Sequence, residues 1–132
     1  MDVVEHLAIA EPQYWQQLQK SIERPPAQGY KPEATDAGIL WYGIDRSERQ
    51  KTGEARVPKG KYPDVKDSLA AFRTLRATML DYAKATNDDL RRRALLDGNM
   101  DVYQWFLMIS SHSQRHVLQI REIKASPGYP RG

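Results

Sequence analysis

The residues of this chain whose type and spacing could do chemistry are its three histidines, His6, His112 and His116, the only ones in 132 residues. His112 and His116 stand four apart. On a helix that spacing stacks two imidazoles on one face, a turn apart, where they can converge on one ion. Both interrupt an apolar stripe made by Val102, Trp105, Ile109, Ile120 and Ile123, and His6 lies among Val3, Leu7 and Ala10. An imidazole turned toward a core costs free energy unless it is partnered, and a shared cation would partner all three. A lone inward histidine is more often a hydrogen-bonded core residue than a ligand. Spacing alone therefore leaves both a metal site and three satisfied core histidines open.

The chemistry such a site would support is bounded by its donors. Three neutral nitrogens without thiolate suit zinc, nickel, copper or iron(II), and three protein ligands leave positions open for water or substrate. An ion so held can lower the pKa of a bound water or thiol toward neutrality. The zincin pattern is absent, because Ser113 stands where that motif has its glutamate base. A carboxylate from Glu5, Glu11, Asp101 or Glu122 is expected to orient one of the rings. Trp105, seven residues before His112, is a candidate roof over the pocket. The chain has no cysteine, so any thiol chemistry takes its sulfur from a small molecule.

Amphipathic helices must position these residues. In segment 2–23, Val3, Leu7, Ala10, Tyr14, Leu18 and Ile22 recur at three- and four-residue steps, with a kink or a junction of two helices expected at Pro12. Residues 24–35, with three prolines and Gly29, read as a linker. A weaker helix follows over 36–50, and 51–63 reads as a basic loop. Asp64 is a fitting N-cap for a helix over 65–85, with Asp67 in its first turn. Asn87 is expected to cap a short helix over 88–93, and Asp97-Gly98 marks a turn. The last helix spans 100–124 and is stopped by SPGYPRG, residues 126–132. No period-two alternation or internal repeat is present, so the class is all-α, one domain over residues 1–132.

Composition narrows the setting. The chain is 40% hydrophobic and 28% charged, and its mean hydropathy is -0.72; these values exclude disorder and a membrane-embedded protein. The first ten residues carry Asp2 and Glu5 and no basic stretch, unlike a signal peptide, so a cytoplasmic location is expected. A net charge of +3 is too mild to argue for nucleic acid, and no recognition helix or zinc-finger spacing accompanies it. Arg91-Arg92-Arg93 reads as a solvated helix face, and Arg115 as a partner for a carboxylate on a neighbouring helix.

Two stretches, V-V-E-H-L-A-I-A-E at 3–11 and H-S-Q-R-H-V-L-Q-I at 112–120, together resemble the DinB-like superfamily, which includes the bacillithiol transferases. The resemblance implies a four-helix bundle of up-down-down-up connectivity and one divalent metal ion, nickel or zinc first and iron or copper after them. It implies His6, His112 and His116 as the ligands. It also places a further helix ahead of the first motif, whereas Met1 lies five residues before His6; a shortened chain, a misassigned start codon and a partner subunit that fills the gap are the alternatives, and pairing as a homodimer is expected. The implied activity is transfer of a low-molecular-weight thiol, with a small-molecule substrate and a thiol cosubstrate. A metal-dependent hydrolase, or a non-enzymatic stress-related bundle with a structural or vestigial ion, are the alternatives.

Overall fold

A computed structural model describes residues 2–130. They form four helices: α1 (Asp2–Ile22), α2 (Asp36–Ile44), α3 (Val65–Ala85) and α4 (Val102–Ala125). Two single 3-10 turns, Glu54–Arg56 and Leu90–Arg92, punctuate the connections. Among the described residues there is no strand, only an isolated bridge between Ala94 and Asp101. The all-α class expected from periodicity is the class that forms. The last two residues of the C-terminal tail lie outside the described part, as does Met1.

The helix starts are written in local chemistry. The Asp64 side chain accepts from the Asp67 backbone N–H, as its position suggested. At α4, Asp101 accepts from the Gln104 backbone N–H while the Gln104 side chain accepts from the Asp101 N–H, a reciprocal capping box. Thr35 caps α2 through Gly38.

Three expectations need correction. The junction of two helices offered at Pro12 does not form, and α1 runs through it. Its ring is solvent-exposed, while Leu7, Ala10, Glu11, Tyr14 and Leu18 are buried on both sides of it, and that packing outweighs one missing hydrogen bond. Helix α2 ends at Ile44, well short of residue 50, because the Asp45 carboxylate turns to Ser47. Arg115 then collects the carbonyls of Tyr42, Asp45 and Glu48, which cannot continue a helical ladder. The expected helix over 88–93 is the single 3-10 turn, with Asp89 rather than Asn87 as its cap.

Leu18 and Ala10 of α1, Met79 of α3, and Val102 and Ile109 of α4 form the dry centre, with Leu95 of the connecting segment. Each large aliphatic side chain buried there contributes about 1.5–3 kcal/mol. Helix α2 lies on α4 at close range: a Cβ at Gly43 would stand 3.0 Å from both Cα and Cβ of Ser111. In the arginine run Arg92 is solvated, as expected of the whole run, while Arg91 and Arg93 act as ties. Arg91 pairs with Asp36 at 2.7 Å, and Arg93 with Asp88 at 2.7 Å and with the carbonyls of Ile22 and Arg24 at the end of α1.

The segment between α2 and α3 matters most for the site. It is held to α1 at four points, one of them the Arg56 guanidinium donating to the Tyr14 hydroxyl at 3.1 Å. The Lys61 N–H donates to Glu5 at 2.6 Å, the His6 ring donates to the Arg56 carbonyl at 2.8 Å, and the Gln13 amide donates to the Ala55 carbonyl at 3.2 Å. With Arg115 holding its other end, this basic segment becomes a wall beside α1 and α4. No helix among the described residues is long and apolar enough to cross a membrane.

Candidate metal centre

The fold brings the three histidines together. His6 comes from the first turns of α1, and His112 and His116 from the middle of α4. Nε2 of His112 lies 3.3 Å from Nε2 of His6 and 3.1 Å from Nε2 of His116. One ligand atom from each ring falls within 4.8 Å of the others. Nitrogens about 2.0–2.1 Å from a common ion stand roughly 3.3 Å apart in tetrahedral geometry and roughly 2.9 Å apart at octahedral right angles. The two closest separations fall in that interval.

Hydrogen bonding decides where the ring protons sit. Carbonyl oxygens only accept, so Nδ1 of His6 donates to Arg56, and Nδ1 of His116 donates to the side-chain oxygen of Gln119 at 2.7 Å. Both Nε2 atoms are thereby left with lone pairs, and both point at His112. A proton on Nε2 of His112 could serve only one of them at a time. Its Nδ1 is buried with no hydrogen-bond partner in either tautomer. Three imidazoles with their acceptor atoms turned inward lack a central donor, and a divalent cation is the group that satisfies all three at once. The donor set fits such an ion.

Electrostatics favours the neutral form that ligation requires. Burial, reinforced by His116 and His6, pushes His112 down to about 3, and burial pushes His116 down to about 4 although Gln119 opposes it. Beside them, the Tyr14 hydroxyl lies 3.5 Å from Nε2 of His112 and accepts from Arg56 at 3.1 Å. Burial holds the Tyr14 pKa above its ordinary value, against the pull of Arg56, so the phenol keeps its proton at neutral pH.

Several expected roles fall to other residues. None of the four carboxylates orients a histidine: Glu5 accepts from Lys61, Glu11 is bound by Arg76, Asp101 caps α4, and Glu122 is held by Arg46 at 3.0 and 2.8 Å. A backbone carbonyl and an amide side chain do that work. Trp105 is not a roof. Its indole donates to the Tyr14 carbonyl at 3.0 Å within the core, and the Tyr14 ring stands between Trp105 and His112. Arg115 finds backbone carbonyls and the Tyr42 ring, not a carboxylate. Tyr14, Arg56 and Gln119 were not foreseen. Gln119, three residues after His116 on one helix, was findable from spacing. Tyr14 read as one more stripe residue, and Arg56 sits in a loop that carries no periodic signal.

The three rings open onto a cavity of about 780 Å³, also lined by Tyr14, Arg56 and Gln119. That volume is in the range of small-molecule sites. An all-helical chain whose three histidines converge on such a cavity has the form of a helical-bundle protein with a candidate metal site. A family model described as the DinB superfamily matches residues 2–120, and the chain belongs to that superfamily. No curated protein and no solved structure matches the chain.

Proposed function

We propose that the protein binds one divalent cation, nickel or zinc before iron or copper, through His6, His112 and His116, and transfers a low-molecular-weight thiol to a small electrophile. The observation that carries this reading is the inward convergence of three Nε2 atoms, two of which have their lone pairs fixed inward by hydrogen bonds on the far side of the ring. Bound there, the ion would supply Lewis acidity and bring a thiol or water toward its anion at neutral pH. The chain's own groups do the rest. His6 and His116 are kept in the ligating tautomer by Arg56 and Gln119. The protonated Tyr14 hydroxyl is placed to donate a hydrogen bond to a substrate atom beside the rings, and Arg56 fixes its position. Since the chain has no cysteine, the sulfur comes with the cosubstrate, and the cavity has room for one.

A structural ion is the second reading, favoured by the way His6 joins α1 to α4 and, through Arg56, to the loop wall. A hydrolase using water at the same site is distinguished by its substrates. The test is metal content of protein purified without added metal, then calorimetric titration of nickel and zinc into wild type and His112→Ala. One equivalent bound by wild type and a large loss of affinity in the variant are expected. Equal binding by both would refute the assignment. Melting with and without chelator separates the two readings, because an ion that fixes the fold should lower the melting temperature steeply when removed.

A further inference from the structure

The histidine cavity is unevenly charged. Five cationic side chains, Arg46, Arg49, Lys51, Arg56 and Arg115, line it against one carboxylate, Glu122. Glu122 is already neutralised by the two-point contact with Arg46. The five cations are not equivalent. Arg115 is committed to the carbonyls of Tyr42, Asp45 and Glu48, and Arg56 gives a hydrogen bond to Tyr14. Arg49 and Lys51 have no hydrogen-bond or ion-pair partner among the described residues, and both are exposed on the loop wall. The rest of the lining has a different character: Val3 of α1 and Met108 and Ile123 of α4 contribute apolar surface.

A concave site with a cationic wall focuses field into the cleft and raises the local concentration of anions. Guanidinium groups bind carboxylate and phosphate oxygens in paired, directional contacts. An apolar lining beside such a wall selects a ligand with an anionic end and a hydrophobic body. Building on the proposed metal-dependent transfer, we propose that the small-molecule substrate of this site is an organic oxyanion, a carboxylate or phosphate ester with an apolar portion. Arg49 and Lys51 receive its charged end, and Val3, Met108 and Ile123 receive its body. These two cations act on binding and are not placed to touch the reacting atoms.

The test uses three probes matched in their apolar part: 3-phenylpropionate, 2-phenylethyl phosphate and the neutral 3-phenylpropanamide. Their affinities are measured calorimetrically on the metal-free and the zinc-loaded full chain, for wild type and for Arg49→Ala/Lys51→Ala. A control variant, Lys66→Ala/Arg73→Ala, removes the same charge from exposed positions of α3 that do not line the cavity. In wild type, at least one anionic probe should bind more tightly than the amide, and the preference should shrink as salt is raised. Loss of the two loop cations should weaken the anionic probe on the order of tenfold, as for a charge-assisted hydrogen bond, and leave zinc affinity and the amide unchanged. The control should bind as wild type does. A carboxylate or a phosphate preference supports the inference and identifies the oxyanion. Equal binding of anionic and neutral probes in both forms, or equal losses in the two double variants, overturns it. Failure to take up zinc would sink the parent reading alone, because the cationic wall is present in the metal-free chain and its selectivity is read there.

Discussion

Replacing Arg76 by alanine strands Glu11, a charge buried close to the histidines. Glu11 is fully buried, and Arg76 holds both of its oxygens at 2.6 and 3.1 Å while also donating to Ser113, the neighbour of His112, at 2.8 Å. Breaking a buried pair from one side costs about 3–5 kcal/mol, because the remaining charge is stranded. Arg76 is 23% exposed, so water reaches the site in its absence and the low end, about 3 kcal/mol, is expected. For a chain of this size that is a fall in melting temperature on the order of 10 °C. The loss should depend on pH in a definite direction. Burial already raises the Glu11 pKa, and Arg76 pulls it partway back; without Arg76 it rises further. A carboxyl whose folded pKa exceeds its unfolded value stabilises the fold in its protonated form, and that contribution is lost as pH rises toward the folded pKa. Urea denaturation should therefore show a small difference between Arg76→Ala and wild type near pH 5 and the full difference at pH 8. His112 and His116, whose folded pKa values are lowered, destabilise both proteins at the acid end; Arg76 is among the charges that lower His112, so its removal eases that acid loss and moves the difference in the same direction. Adding Glu11→Gln to Arg76→Ala should recover part of the stability and remove the pH dependence. A loss of equal size at both pH values, or one that grows toward acid, would refute the account of Glu11 as a stranded carboxylate.

Two further outcomes follow from single contacts. Gln119→Leu removes the acceptor that fixes the His116 tautomer and should weaken zinc binding by roughly 10–100-fold while leaving the metal-free melting temperature near wild type; an unchanged calorimetric affinity would show that this bond does not orient the ring. Gly43→Ala drives a Cβ to 3.0 Å from Ser111 Cα and Cβ, and overpacking of this kind costs about 1–3 kcal/mol. Thermal melting should fall by several degrees, and no change would mean that α2 is not seated on α4 at this distance.

What could be read from the chain beforehand divides along physical lines. Helices α1, α3 and α4 were legible because each buries a stripe that repeats at helical period, and Asp64 announced its own cap. The end of α2 was not, because its stop depends on Arg115, about seventy residues away, and no local propensity encodes that contact. Pro12 was over-weighted: a breaker rule describes an isolated helix, whereas α1 is held by burial on either side. The histidines stood out because imidazoles are rare on apolar stripes. Tyr14 was hidden by looking like its hydrophobic neighbours. Arg56 was hidden because a loop residue's partners are set by the route of the loop, which only the assembled fold shows.

The site divides its labour between rigid and irregular backbone. Both elements that carry the histidines are long helices packed in the core, and Gln119, which fixes one of the rings, lies on the same helix as that ring. The cationic residues Arg49, Lys51 and Arg56 lie on the connection between α2 and α3, tied down at Glu5, His6 and Arg115 but free of the core. On the proposed reading, substitutions at Arg49 or Lys51 change which ligand the cavity accepts without moving the imidazoles. Arg56 is the exception. Its carbonyl holds His6 and its side chain holds Tyr14, so it joins the wall to the centre. A side-chain change there leaves the carbonyl in place and releases Tyr14, which sets it apart from its neighbours: Arg56 touches both His6 and Tyr14 and so joins the loop wall to the histidine cluster directly.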